Sequence, residues 1–195
     1  MESKTKSRIL DAALVMFAEN GYNGTNLRDL AASLGLTKSA LYKHYVSKEA
    51  IWNALLDRME AYYAERFGSI QNLTKYPESG DELLDMTMKM IDFTVHDERI
   101  ILTRKLLLTE QFHDERVCRL ASKHFLYGTK NMFAAIFEKM ITDRVMKQAD
   151  PEMLAFIYTT PVTALIQLCT REPDKQDEVI KRAEEFVRYF IAMYV

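Results

Sequence analysis

Lys38, Ser39, Ala40, Tyr42, Lys43 and His44 stand close together in one short stretch of the chain. Small residues let a helix approach a surface, while hydroxyl, ring and ammonium groups around them can meet phosphates and base edges. On one helix these types suit insertion into the major groove of DNA. No comparable set points to catalysis. His44, His96, His113 and His124 fall at no metal-ligand spacing, and His113 and Asp114, being adjacent, do not face each other on a helix. There is no Gly-rich phosphate loop, no Gly-x-Ser-x-Gly and no activated-cysteine context. Cys118 and Cys169 lack Cys-x-x-Cys spacing and read as reduced thiols of a cytoplasmic protein. The expectation is a binding protein rather than an enzyme, with no catalytic residues, cofactor or metal.

Four helical segments would position that stretch. Ile9, Ala12, Ala13, Met16 and Phe17 repeat with a helical period over residues 5–20, and Gly21 follows as the residue able to take φ > 0. Thr25 is the expected cap of a short second helix carrying Leu27, Leu30, Ala31 and Leu34. Ala31 lets the next helix approach and Gly35 supplies the turn. Thr37 offers a cap for a third helix through Leu41 to about Tyr45, and Ser47 a cap for a fourth with Ile51, Trp52, Leu55 and Met59. Leu27, Leu30, Leu34, Leu36 and Leu41 would form the core of a helix-turn-helix unit.

Residues 5–52 resemble the N-terminal domain of the TetR family of bacterial transcriptional regulators. The matching residues run Phe17-Ala-Glu-Asn-Gly21-Tyr22, then Thr25 to Leu36, then Thr37 to Glu49, with Leu-Tyr-x-His-Tyr-x-Ser-Lys-Glu the most distinctive run. The resemblance implies phosphate contacts from Thr25, Thr37, Tyr42, His44 and Lys48, which set register and affinity but read no sequence. It implies base-edge contacts from Arg28, Lys38, Ser39, Ala40 and Lys43. Lys4, Lys6 and Arg8 precede or open the first helix, within reach of a neighbouring phosphate or minor groove; Lys4, Lys6 and Lys43 read equally well as solvated surface charges, and Tyr45 is expected in the core. The partner so implied is double-stranded DNA carrying a palindromic operator, bound as a homodimer. Two recognition helices would then meet successive major grooves about 34–36 Å apart.

Beyond residue 70 the sequence predicts a polar linker, NLTKYPESGD, and five further helices. Ser79-x-x-Glu82 has capping-box spacing before a helix over 81–95, and Asp97 caps one through Arg104 to about Thr109. A long helix is expected over 115–140. Asp150-Pro151 starts another that ends near Arg171-Glu172-Pro173, and a last one carries an apolar stripe from Val179 to Tyr194. The fold class is therefore all-α with about nine helices. Residues 1–50 form a helix-turn-helix domain, the helix from 47 to about 69 a connector and lever, and residues 70–195 an effector-binding and dimerisation domain.

The resemblance places a four-helix dimer interface on the last two helices, here Phe156, Leu165, Val179, Ala183, Phe186, Val187, Phe190 and Tyr194. The same stripe can instead be core within one subunit. Met and aromatic residues on the middle helices suit an adaptable apolar pocket and an ordinary helical core equally well, with Arg104, His113, His124, Tyr158, Thr159, Thr160 and Gln167 as polar groups able to fix a ligand. Pro161 is expected to kink its helix by removing a backbone donor. The functional expectation is a repressor released from DNA by a small apolar or amphipathic molecule. The alternative is a DNA-bound regulator controlled by a protein partner, or an activator, without a small ligand.

Composition agrees with this reading. Of 195 residues, 48% are apolar and 28% charged, with six Gly and four Pro, values that exclude disorder and disfavour a turn-rich β fold. The N-terminal MESKTKSRIL lacks an apolar core and cleavage site, so no secretory signal is expected. The uncharged stretch Met153–Thr170 is diluted by threonines and Pro161, and reads as a helix between helices rather than a membrane span. The formal net charge of −2 divides into +2 over residues 1–50 and −4 over 51–195. A mildly basic head on an acidic body keeps nonspecific binding to nucleic acid modest.

Overall fold

The structure is a computed structural model and describes residues 4–67 and 75–195. Asn72, Leu73 and Thr74 of the expected linker lie outside the described residues. Helices α1 (Lys4–Gly24), α2 (Leu27–Ser33), α3 (Lys38–Tyr42) and α4 (Lys48–Phe67) come first. Then follow α5 (Gly80–His96), α6 (Glu98–Glu110), α7 (Glu115–Ser122), a π-helical turn (Lys123–Tyr127), α8 (Gly128–Thr142), α9 (Pro151–Arg171) and α10 (Gln176–Tyr194). With the run from α7 through α8 taken as one, the described residues form nine helices and no strand, as the breaker-poor sequence predicts.

Two compact units divide the chain. The first comprises Met1–Arg66 and Leu102–Ala121, the second Phe67–Ile101 and Ser122–Val195. In the first, Ile9, Leu10, Ala13, Leu14, Phe17 and Ala18 are the buried stripe of α1. Ala12 and Met16, expected on that stripe, are only half-buried at its margin. Leu30, Leu41, Ile51, Leu55 and Leu56 are wholly buried, whereas Leu34 and Leu36 are half-buried at the turn. Arg58 ties α4 to α1, pairing with Asp11 at 2.9 Å and donating to the Ser7 carbonyl at 3.2 Å.

The second unit is built around aromatic rings. Tyr158 of α9 lies 4.9 Å from Phe133, 5.2 Å from Phe137 and 4.6 Å from Phe190, ring centre to centre. Its hydroxyl shares a 2.7 Å hydrogen bond with Thr87. Burial pushes the Tyr158 phenol well above its ordinary range, so it is neutral. Val179, Ala183, Val187 and Phe190 of α10 are all buried in this core within one chain. Within one chain these four residues pack in a core shared with Leu83 of α5 and Tyr158 of α9, the other use of the stripe that the sequence left open.

Most helix ends follow the local signals. Ser79 accepts the Glu82 amide, Asp97 the Ile100 amide, and Asp150 the Glu152 and Met153 amides. Three details differ. Glu82 reaches the Glu78 amide and Lys75 rather than the amide of Ser79. The long helix over 115–140 contains the π-turn at Lys123–Tyr127. The third helix ends at Tyr42, with His44 and Tyr45 turning back through amides bonded to the Leu41 carbonyl. α9 continues as one helix through Pro161 to Arg171.

Candidate nucleic-acid interface

Two tight corners hold the helix-turn-helix. At the first, Gly21 takes φ 70° and ψ 172°, outside the helical range, so the long helical run of α1 breaks there as the sequence predicts, leaving a short turn to Gly24. Thr25 sits just beyond, 3% exposed, and its hydroxyl is turned inward, 2.8 Å from the Gly21 carbonyl and 3.1 Å from that of Met16. Asn26, not Thr25, caps α2, accepting the Arg28 amide at 2.8 Å. The expected roles of Thr25 as a cap and as a phosphate-gripping hydroxyl are both corrected by that inward bond. At the second corner Gly35 takes φ 68°, and the Leu36 amide bonds back to the Ala31 carbonyl at 2.9 Å.

Thr37 caps α3 by accepting the Ala40 amide at 3.1 Å. That bond uses a lone pair and leaves the hydroxyl proton able to donate outward. Arg28, Thr37, Lys38, Ser39, Tyr42 and Lys43 are exposed, and Ala40, His44 and Lys48 half-buried. Leu41 and Tyr45 face the core, as expected of both. The Lys6 ammonium lies 5.4 Å from the centre of the Tyr45 ring, and Lys4 and Arg8 are exposed on the first turns of α1.

Lys38, Tyr42 and Lys48 come together along a groove of about 450 Å³, lined also by Asn23, Gly24, Thr25, Asn26, Leu27, Val46 and Ser47. Lys38 lies 5.7 Å from the centre of the Tyr42 ring. Lys48 opens α4, where Ser47 accepts the Ala50 amide at 3.0 Å, and its ammonium lies 4.5 Å from the centre of the Tyr22 ring. Burial lowers the Lys48 pKa, and the carboxylate of Glu110 acts in the opposite sense. Arg28, Ser39, Ala40, Lys43 and His44 do not line this groove. Asn23, Asn26 and Val46 line it and were missed; Val46, 84% exposed between Tyr45 and Ser47, is an apolar residue in a polar turn, a signal legible in sequence.

The residues expected to hold an effector do not gather in one unit. Arg104, buried, and His113, exposed, belong to the first unit. His124, Tyr158, Thr159 and Gln167 belong to the second. Thr159 is buried and donates to the Ala155 carbonyl at 2.8 Å, and Thr160 donates to that of Phe156 at 2.7 Å. Burial, with a smaller push from Lys123, brings the His124 pKa down to about 4, so its ring is neutral near pH 7. Among the described residues no three His, Cys, Asp or Glu side chains are grouped to hold a metal ion.

Of the residues assigned to a dimer face, Phe156 is 44% exposed, while Leu165, Phe186 and Tyr194 are half-buried. Met153 on α9 and Tyr189 and Met193 on α10 are exposed apolar residues that the stripe pattern left out. α9 is also the one described helix long and apolar enough to cross a membrane by length and composition.

Residues 9–55 match the family model for bacterial regulatory proteins of the tetR family. The chain is 37% identical over 60 residues to the biofilm operon icaADBC HTH-type negative transcriptional regulator IcaR of Staphylococcus epidermidis, covering 31% of this chain and 32% of that protein. The matches to the first curated relatives span between a quarter and a half of those proteins' lengths. Among solved structures, a TetR-family transcriptional regulator of Mesorhizobium loti superposes with a TM-score of 0.74 at 20% identity over 99% of both chains. SmeT, the repressor of the Stenotrophomonas maltophilia multidrug efflux pump SmeDEF, in complex with triclosan, does so with 0.73 at 21% identity over 99% of this chain and 92% of that one. At those identities the likeness is one of fold. Residues 9–55 carry the helix-turn-helix of the tetR family of bacterial regulatory proteins, and the whole chain shares the all-helical fold of solved TetR-family regulators.

Proposed function

We propose that this chain is a ligand-responsive repressor that binds a palindromic operator as a homodimer in the cytoplasm. One observation carries the DNA-binding part: the groove that unites Lys38, Tyr42 and Lys48 beside the exposed side of α3. In this reading Thr37, Tyr42, His44 and Lys48 grip phosphates, and Arg28, Lys38, Ser39, Ala40 and Lys43 read base edges. The partner copy sits on the outward residues of α9 and α10, with Met153, Phe156, Tyr189 and Met193 as its apolar centre. The effector is a small apolar or amphipathic molecule, a reading supported by the triclosan bound to SmeT, which has the same fold. Release follows if the ligand prefers the conformer with mis-spaced recognition helices. A preference of about 5.5 kcal/mol moves a 1:99 population to 99:1.

Control by a protein partner is the second reading, and the filled aromatic core favours it. Tyr158 and Thr159, two of the polar groups offered to a ligand, are satisfied by Thr87 and Ala155 of the same chain. The test is fluorescence anisotropy with the DNA upstream of the protein's own coding region. Binding of the palindrome there, and its reversal by one member of a panel of apolar compounds, is the expected result. Absence of binding sinks the operator reading, and binding that no compound reverses turns the control toward a protein partner.

A further inference from the structure

The corner between α6 and α7 carries two carboxylates, Glu110 and Asp114, both in the first unit. Glu110 is 8% exposed and lies against the break in α1. Its Oε1 accepts the Tyr22 amide at 3.3 Å, and a Cβ placed on Gly21 would come within 2.6 Å of the same oxygen. Asp114 accepts the Trp52 indole N–H at 2.9 Å and the amides of Arg116 and Val117. The Tyr22 ring is held between these bonds, 5.0 Å from Trp52 and 5.9 Å from Phe17, with the Lys48 ammonium 4.5 Å from its centre.

Burying a carboxylate is unfavourable unless specific hydrogen bonds or charges compensate it. Here the bond goes to backbone at the Gly21 break, and the nearest consequence is the orientation of Tyr22. We infer that Glu110 is a positioning residue for DNA binding: by holding the Tyr22 amide it fixes the ring that seats the Lys48 ammonium in the groove. The inference rests on the reading of Lys48 as a phosphate contact. Arg116 pairs with Asp57 at 2.5 Å and Glu60 at 3.0 Å, so the same corner is also anchored to α4 below Trp52. The Lys48 seat is thus built from α1, α4 and the α6–α7 corner together.

Glu110→Gln keeps an oxygen for the Tyr22 amide and removes the charge, while Glu110→Ala removes both. Binding to a mixed-sequence DNA duplex isolates phosphate contacts, which are independent of sequence. Glu110→Ala is expected to bind that duplex about tenfold more weakly and with a salt slope lower by about 1, and Glu110→Gln to stay within about twofold. In a Lys48→Ala background Glu110→Ala should cost nothing further. Equal loss in both Glu110 variants, or no loss in Glu110→Ala, overturns the inference.

A second readout needs no DNA: acylation of the Lys48 amine relative to that of Lys43, followed by peptide mass spectrometry. Releasing the ring-held ammonium should raise Lys48 labelling about threefold in Glu110→Ala and clearly less in Glu110→Gln, which loses only the carboxylate's charge. Unchanged labelling in folded Glu110→Ala refutes the seat. If that variant fails to fold, Tyr22→Leu removes the ring and keeps the amide bond, and must give the same rise. Failure of every variant and of the wild type to bind the duplex, with the labelling pattern as expected, upholds the seat and discards the DNA reading instead.

Discussion

Thr25 and Thr37 have the same side chain and opposite employment. Thr25 donates inward to Gly21 and Met16 and closes the corner before α2. Thr37 accepts the Ala40 amide, which leaves its proton able to donate elsewhere. Lys48 is the residue on which the phosphate reading can be tested most directly. Lys48→Ala should weaken binding to every DNA sequence and lower the salt slope by about 1, measured by anisotropy across a salt series; an unchanged slope removes it from the phosphate contacts. His124 gives a pH test. Its folded pKa, near 4, lies below the ordinary 6.5, so the unfolded chain binds more protons between those values. The stability this burial reflects is therefore complete above pH 6.5 and falls, by up to about 3 kcal/mol, as pH drops toward 4. Circular-dichroism melts should show that loss, and His124→Leu should flatten it; an equally steep decline in the variant would exclude His124 as the source.

At the scale of the element, what is local was legible and what is distant was not. The caps at Thr37, Ser47, Ser79, Asp97 and Asp150 bond to amides two or three residues on, within the reach of a sequence pattern. The hydrogen bond from Tyr22 to Glu110 spans 88 residues, and no periodicity announces it. α10 illustrates the same limit. Its stripe was visible, but an apolar stripe has no mark to tell a subunit's own core from a partner, and the rings of Phe137 and Tyr158 had already claimed Phe190. Two neighbours on α10 therefore separate: Phe190→Ala should cost about 3–5 kcal/mol in a denaturant melt at any protein concentration, whereas Tyr189→Ala, exposed within one chain and placed on the proposed dimer face, should cost within about 0.5 kcal/mol once the protein is diluted to monomer. A large Tyr189→Ala loss that does not change with dilution would mean that the side chain is buried within its own chain.

For the whole molecule, the two units divide the proposed tasks, and the chain does not divide with them in sequence order. Residues 102–121 join the N-terminal helices, which the boundary expected near residue 50 or 70 did not anticipate, because α6 and α7 read in sequence like any other amphipathic pair. The family match stops at residue 55, so the identity of the second unit rests on fold. Its proposed dimer face is open to test. Phe156→Asp puts a charge at the centre of the outward apolar set without touching the buried stripe. Light scattering should then report a monomer at micromolar concentration, with operator affinity falling in step; a variant that remains dimeric moves the interface off α9.

The chain has a single tryptophan, and it stands at Trp52, in edge contact with Phe17 and donating to Asp114. Its emission is therefore a built-in optical reporter of the first unit, with no dye to attach. A shift in wavelength on adding DNA or a candidate effector would register a change in the hydrogen bond between the indole and the α6–α7 corner. When excitation is set beyond the absorption of tyrosine, the aromatic core of the second unit, all Phe and Tyr, contributes nothing, so the signal reads the first unit alone.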